Sequence, residues 1–139
     1  VHASLVSRGM ADLVIAFEPA EAARVLPYLA PAGTLVAATT AVQPVTAALS
    51  TDPYRAIDVV ANIQRALEGT KATFIPVDDQ ALVEAAGSRK VLNNLLLAKA
   101  LQTGCIPISL DDLRSAIAAC VKPKLVDMNL RAVDIAVAE

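Results

Sequence analysis

The chain has 139 residues, 55% apolar and 19% charged, with a net charge of -2, a length that fits one domain spanning 1–139 and able to bury roughly two-thirds of its unfolded surface. No stretch gathers Lys or Arg, which argues against nucleic acid as a partner, and no uncharged apolar run is long enough to cross a membrane. No charged leader followed by an apolar stretch opens the chain either, so it reads as cytoplasmic. The apolar share is above the usual and the charged share below it, so apolar surface must be hidden somewhere, and a partner surface is one such place.

Ala11 to Phe17 is a short continuous apolar run of the kind that forms a strand buried on both faces. Glu18 and Pro19 then open a helix. Pro19 suits the first helical position, where its missing N–H is not needed, and Glu18 and Glu21 put negative charge near the positive end of the helix dipole. This helix is expected to run to about Leu29, with Pro27 kinking its last turn. Pro31-Ala32-Gly33 then reads as the turn into a second apolar strand, Thr34 to Thr39. Strand, helix and strand within about 30 residues make a βαβ unit, with parallel strands and a right-handed crossover.

Thr40 to Arg55 reads as an irregular connection. Ile57 to Glu68 is helical and ends at Gly69, and Lys71 to Val77 forms a third strand whose Pro76 belongs at an edge or beyond the ladder. Asp79 to Ala86 is a short helix closed by Gly87, and Lys90 to Thr103 a longer one closed by Gly104. Ser109 and Asp112 resemble a capping box, followed by Leu110, Leu113, Ile117 and Cys120 at helical spacing. Pro123 starts a last helix that runs nearly to Glu139. The fold class is therefore α/β, a three-layer α/β/α arrangement around a mainly parallel, Rossmann-like sheet. Six helices against three strands is lopsided, so the sheet reads as incomplete at the N-terminus, where 1–6 could add one strand.

Few polar residues carry recognisable chemistry. Cys105 and Cys120 match neither a Cys-x-x-Cys pair nor a cluster set of about four thiolates, and read as reduced, mostly buried thiols. His2 lacks the partners that a metal site or a triad requires, so no metal site and no catalytic group is assigned. The five glycines form no G-x-G-x-x-G or P-loop. In open parallel sheets ligands sit beyond the carboxyl ends of strands. Glu18 follows one such end and Thr39 and Thr40 the next, so these three, with Glu21, are candidates for substrate or partner contact. On helical wheels Asn129 falls in the apolar sector of the last helix, and Asn93 and Asn94 fall off the polar face of theirs. Such amides either tie helices to neighbouring loop backbone or contact a ligand or partner.

Three segments taken together resemble one family. Gly9 to Ala22, containing Ala11-Asp12, then the strand, then Phe17-Glu18-Pro19-Ala20-Glu21-Ala22, is similar to the signature of the small subunit of the indolepyruvate:ferredoxin oxidoreductases. Asn93-Asn94-Leu95-Leu96-Leu97 resembles that family's Asn followed by an apolar helix, with Ala98 where the family has Gly. Pro107-Ile108-Ser109, Lys122-Pro123-Lys124 and Asn129-Leu130-Arg131-Ala132 resemble its closing helices. The resemblance implies the C-terminal part of a small subunit of a thiamine-dependent 2-oxoacid oxidoreductase, which converts arylpyruvates to acyl-CoA and passes electrons to ferredoxin. It also implies that thiamine diphosphate, Mg²⁺ and the iron-sulfur clusters belong to a large partner subunit, and that this chain binds no cofactor itself. The alternative is a free-standing Rossmann-like nucleotide-binding module or dehydrogenase fragment, which a Gly-rich loop upstream of Val1 would favour. A neighbouring frame with thiamine and Cys-rich motifs would favour the subunit.

Overall fold

A computed structural model describes residues 5–40 and 56–138 and divides into two compact units, Val1–Val77 and Asp78–Glu139. The expectations for 1–4 and for most of the connection after Thr40 lie outside the described residues. Leu5 and Val6 are exposed and outside any strand.

In the first unit, β1 (Ala11–Ala16), β2 (Leu29–Ala38) and β3 (Thr73–Val77) form a parallel sheet in the order β1-β2-β3. The expected βαβ unit is present, with α1 (Pro19–Val25) between β1 and β2. Pro19 occupies the first turn as expected, and Pro27 ends the α-helix early, the chain passing into a 3-10 turn at Leu26–Tyr28. A proline there removes an N–H that the helix would need. α2 (Ala56–Leu67) precedes β3. Leu35 and Ala37 of β2 pack with Ala16, Ala22, Leu29 and Ile63 in a core to which Val14, Leu26, Val59 and Phe74 add. The side chains of a strand alternate between faces, and Val36 and Ala38, on the opposite face of β2, are buried as well. This is the burial on both faces that a continuous apolar run implies.

Two expectations for this unit need correction. Pro31-Ala32-Gly33 is not the turn before β2 but lies inside it, at an irregularity: Ala11 pairs with Leu29 and Leu13 with Thr34, so β2 advances five positions while β1 advances two. Gly33 is required by close approach, because a Cβ there would stand 2.8 Å from the Ala11 carbonyl oxygen and 2.8 Å from Leu29 Cδ1. Phe17 is not part of a strand buried on both faces. It follows the end of β1 and is 50% exposed, while Leu13, Val14 and Ile15 are only half-buried. The physical reason is that β1 is an edge of the sheet among the described residues, whereas the apolar run alone reads as a central strand. Pro76 does sit within β3, an edge of the sheet among the described residues, opposite Ala37, where a missing ladder donor is tolerated.

The second unit is helical: α3 (Asp79–Ala86), α4 (Leu92–Gln102), α5 (Leu110–Cys120) and α6 (Pro123–Val137), with a 3-10 turn at Arg89–Val91 leading into α4. Asp78 caps α3 through the Ala81 N–H, and Gly87 ends it at φ +82, a left-handed conformation that glycine adopts without steric cost. α4 and α6 pack against each other, and Leu95, Leu96 and Ala98 of the one and Ala132, Val133 and Ala136 of the other are buried. Cys120 does not join the buried row of Leu113 and Ile117. It is exposed and Cys105 is half-buried, both as free thiols, because position 120 is the last residue of α5 and lies beyond its packed face.

The capping box forms as expected: the Ser109 hydroxyl accepts from the Asp112 N–H at 3.0 Å, and the Asp112 carboxylate accepts from the Ser109 N–H at 2.9 Å. The backbone and side-chain hydrogen bonds from Ser109 hold the Asp112 carboxyl below its ordinary pKa. Such a lowered group stabilises the fold above its unfolded pKa and loses that contribution as pH falls through the folded value. Ser109→Ala removes the hydroxyl that caps the Asp112 N–H, a loss of about 1 kcal/mol near neutral pH. The gap from wild type should narrow as the pH drops below about 4, which urea titrations at several pH values would measure.

Candidate functional site

The carboxyl ends of β1 and β2 place Glu18 level with Thr39, since Ala16 pairs with Ala37 and each residue lies two positions further on. Thr39 closes the β2–β3 ladder: its N–H donates to the Val77 carbonyl at 3.0 Å and its hydroxyl to the same oxygen at 3.2 Å. Thr40 is half-buried and also engaged. Glu18 holds the cap position of α1 with extended backbone, φ -154 and ψ 158, yet its side chain makes no cap hydrogen bond. Fully buried Pro19 follows it, and a proline disfavours helical backbone in the residue before it. Glu21 is exposed and pairs with Arg24, whose guanidinium is raised above its ordinary pKa by the hydrogen bond and the charge of Glu21. Glu18 and Thr39 thus follow adjacent strand ends on one side of the sheet, while the Glu21 charge is already matched on its own helix.

Asn93 is exposed rather than set against the apolar side of α4, although Leu92, Asn94 and Leu95 in the same turn are buried, so it lies on the one side of that turn that faces solvent. Asn94 and Asn129 are the buried amides. Asn94 Nδ2 donates to Asn129 Oδ1 at 2.6 Å, and Asn129 Nδ2 donates to the Leu125 carbonyl at 2.8 Å. The tie therefore runs from helix to helix and to α6's own backbone, not to a loop. Both polar ends of the Asn129 amide are occupied by structure.

A groove of about 310 Å³ lies between α1 and α2, lined by Ala23, Leu26, Val59, Asn62, Ile63 and Ala66. Only Asn62 offers a polar group there. The residue that sequence reading passed over is Asp79, which is 0% exposed and bonded to Arg89 at 2.9 Å. In the sequence Asp78-Asp79 reads as a helix start, and nothing in it tells which carboxylate caps and which is buried ten residues from its cation. Among the described residues no group of three or more His, Cys, Asp or Glu could hold a metal ion. The sequence has two cysteines, so its thiols do not fit an iron-sulfur cluster, which takes about four thiolates.

The profile of the "Pyruvate ferredoxin/flavodoxin oxidoreductase" family matches residues 1–139, running across both units. The chain is 29% identical over 137 residues to indolepyruvate oxidoreductase subunit IorB of Pyrococcus horikoshii. It is 30% identical over 137 residues to the subunit of the same name from Thermococcus kodakarensis. Each of these alignments takes in 99% of this chain and 67% of the relative. The corresponding subunit from Methanothermobacter thermautotrophicus is 32% identical over 132 residues, 95% of this chain and 66% of the relative. The chain thus spans about two-thirds of the length of the curated relatives it matches. A crystal structure of the pyruvate oxidoreductase subunit PORC from Thermotoga maritima superimposes with a TM-score of 0.58 at 19% identity, covering 92% of this chain and 62% of that one. That likeness shows a shared α/β fold. The chain belongs to the pyruvate ferredoxin/flavodoxin oxidoreductase family, as the resemblance of its Phe17–Ala22, Asn93–Leu97 and closing segments implies.

Proposed function

We propose that this chain acts as the small subunit of a thiamine-dependent indolepyruvate or arylpyruvate:ferredoxin oxidoreductase, which decarboxylates its 2-oxoacid oxidatively to acyl-CoA. The observation that carries this reading is the likeness to indolepyruvate oxidoreductase subunits at about 30% identity along nearly the whole chain. Thiamine diphosphate, Mg²⁺ and the iron-sulfur clusters are held by a large partner subunit, and ferredoxin is reached through the complex. Two cysteines are too few for an iron-sulfur cluster, and among the described residues no carboxylates group to hold a metal, which supports that division of labour. The two compact units work as one domain, since the family profile runs across both. No helix among the described residues is long and apolar enough to cross a membrane, which agrees with a complex that works in the cytoplasm.

Co-expression with the large subunit tests this reading. The two should copurify, with iron and thiamine diphosphate found in the complex and neither found with this chain purified alone. Stoichiometric iron on the isolated chain, or indolepyruvate decarboxylation by it without the other subunit, would contradict the proposal.

A further inference from the structure

We infer that Phe17 and Glu18 dock the large partner subunit, at a face that presents an arginine or lysine beside an apolar seat; the inference rests on the subunit reading above. Phe17 follows directly on β1 and is 50% exposed, so half of a large apolar side chain is left in water at the carboxyl end of a strand. A half-exposed aromatic at the end of an edge strand matches the type of residue that anchors interfaces. Glu18 stands beside it, half-buried, and among the described residues its carboxylate has no ion-pair or hydrogen-bond partner, although it holds the cap position of α1. Serine, threonine or aspartate would cap that helix with a shorter arm. Glutamate instead leaves its charge free.

The geometry also limits what can occupy the site. Buried Pro19 confines Glu18 to extended backbone, which fixes the direction in which the chain leaves β1. A carboxylate accepts hydrogen bonds and carries no donor, so it repels the carboxylate of a 2-oxoacid and favours a cation. Within this unit Glu21 already has Arg24, and Thr39 already donates to Val77. Glu18 is therefore the candidate whose charge still calls for a partner. Charge complementarity selects a guanidinium or ammonium, and Phe17 supplies the apolar contact next to it.

The test measures the affinity of the full chain for the thiamine-bearing subunit, by titration calorimetry at two salt concentrations. Glu18→Gln should weaken the complex by about tenfold at low salt, Glu18→Lys should weaken it further, and the wild type should lose affinity with salt more steeply than Glu18→Gln. Phe17→Ala should weaken binding by about tenfold or more, whereas Glu68→Gln, which removes an exposed charge elsewhere on the unit, should bind as wild type does. Thermal melting of each variant checks folding, and Glu18→Gln carries the test alone if Phe17→Ala melts early. Wild-type affinity and salt dependence in Glu18→Gln would overturn this inference while leaving the subunit reading standing. Failure of the wild-type chain to bind would overturn both.

Discussion

Arg89→Met should destabilise the protein by about 3 kcal/mol, the low end of what removing one member of a buried ion pair costs. The loss comes less from the bond itself than from the carboxylate left behind. Asp79 is fully buried and would be left without the guanidinium that now sits at 2.9 Å. The estimate stays at the low end because Asp79 is engaged by more than Arg89 and because Arg89 is itself 46% exposed. Asp79→Ala should cost less, since the stranded guanidinium can turn into water. The double variant should be more stable than Arg89→Met alone. Denaturant titration of the three variants reads this ordering directly, and equal losses in the two single variants would show that the buried charge is not the source.

Asn129→Leu should cost about 1 to 3 kcal/mol. The substitution removes the acceptor of the Asn94 amide and the donor to the Leu125 carbonyl, both in the packed interface of α4 and α6. Asn94 then keeps a buried N–H₂ group with no partner. Replacing both amides, Asn94→Leu with Asn129→Leu, should recover much of the loss, because apolar groups of similar shape leave nothing unsatisfied across the helix pair. Urea unfolding of the single and double variants measures the coupling. A single variant as stable as wild type would mean that the amide pair contributes nothing to the interface.

These two cases mark where sequence reading works and where it stops. The wheel placed Asn129 in the apolar sector because the 3.6-residue period is set by the helix alone, and the residue is indeed buried. The wheel puts Asn93 off the polar face as well, since it carries no knowledge of which side of a mostly apolar helix is packed, and Asn93 is exposed. Ends governed by local chemistry were legible: Pro19 at the start of α1, the Ser109–Asp112 box and Gly87 all act through atoms within a few residues. Features set by distant chain were not. Gly33 reads as a turn residue, but its need for no side chain comes from the Ala11 carbonyl across the sheet. Asp79 and Arg89 have no periodic relation, and the exposure of Phe17 depends on the position of β1 in the sheet. The grouping of Glu18 and Thr39 at adjacent strand ends did follow from sequence, because parallel strands bring their carboxyl ends to one side.

The central claim is that this chain completes an indolepyruvate-type 2-oxoacid oxidoreductase, and it is tested most directly by adding the chain to its large subunit and following ferredoxin reduction. With indolepyruvate and CoA present, the rate should rise saturably with added chain and stay near background with either subunit alone. A large subunit that reduces ferredoxin at full rate without this chain, or a pair that is inactive on every arylpyruvate and on pyruvate, would contradict the account.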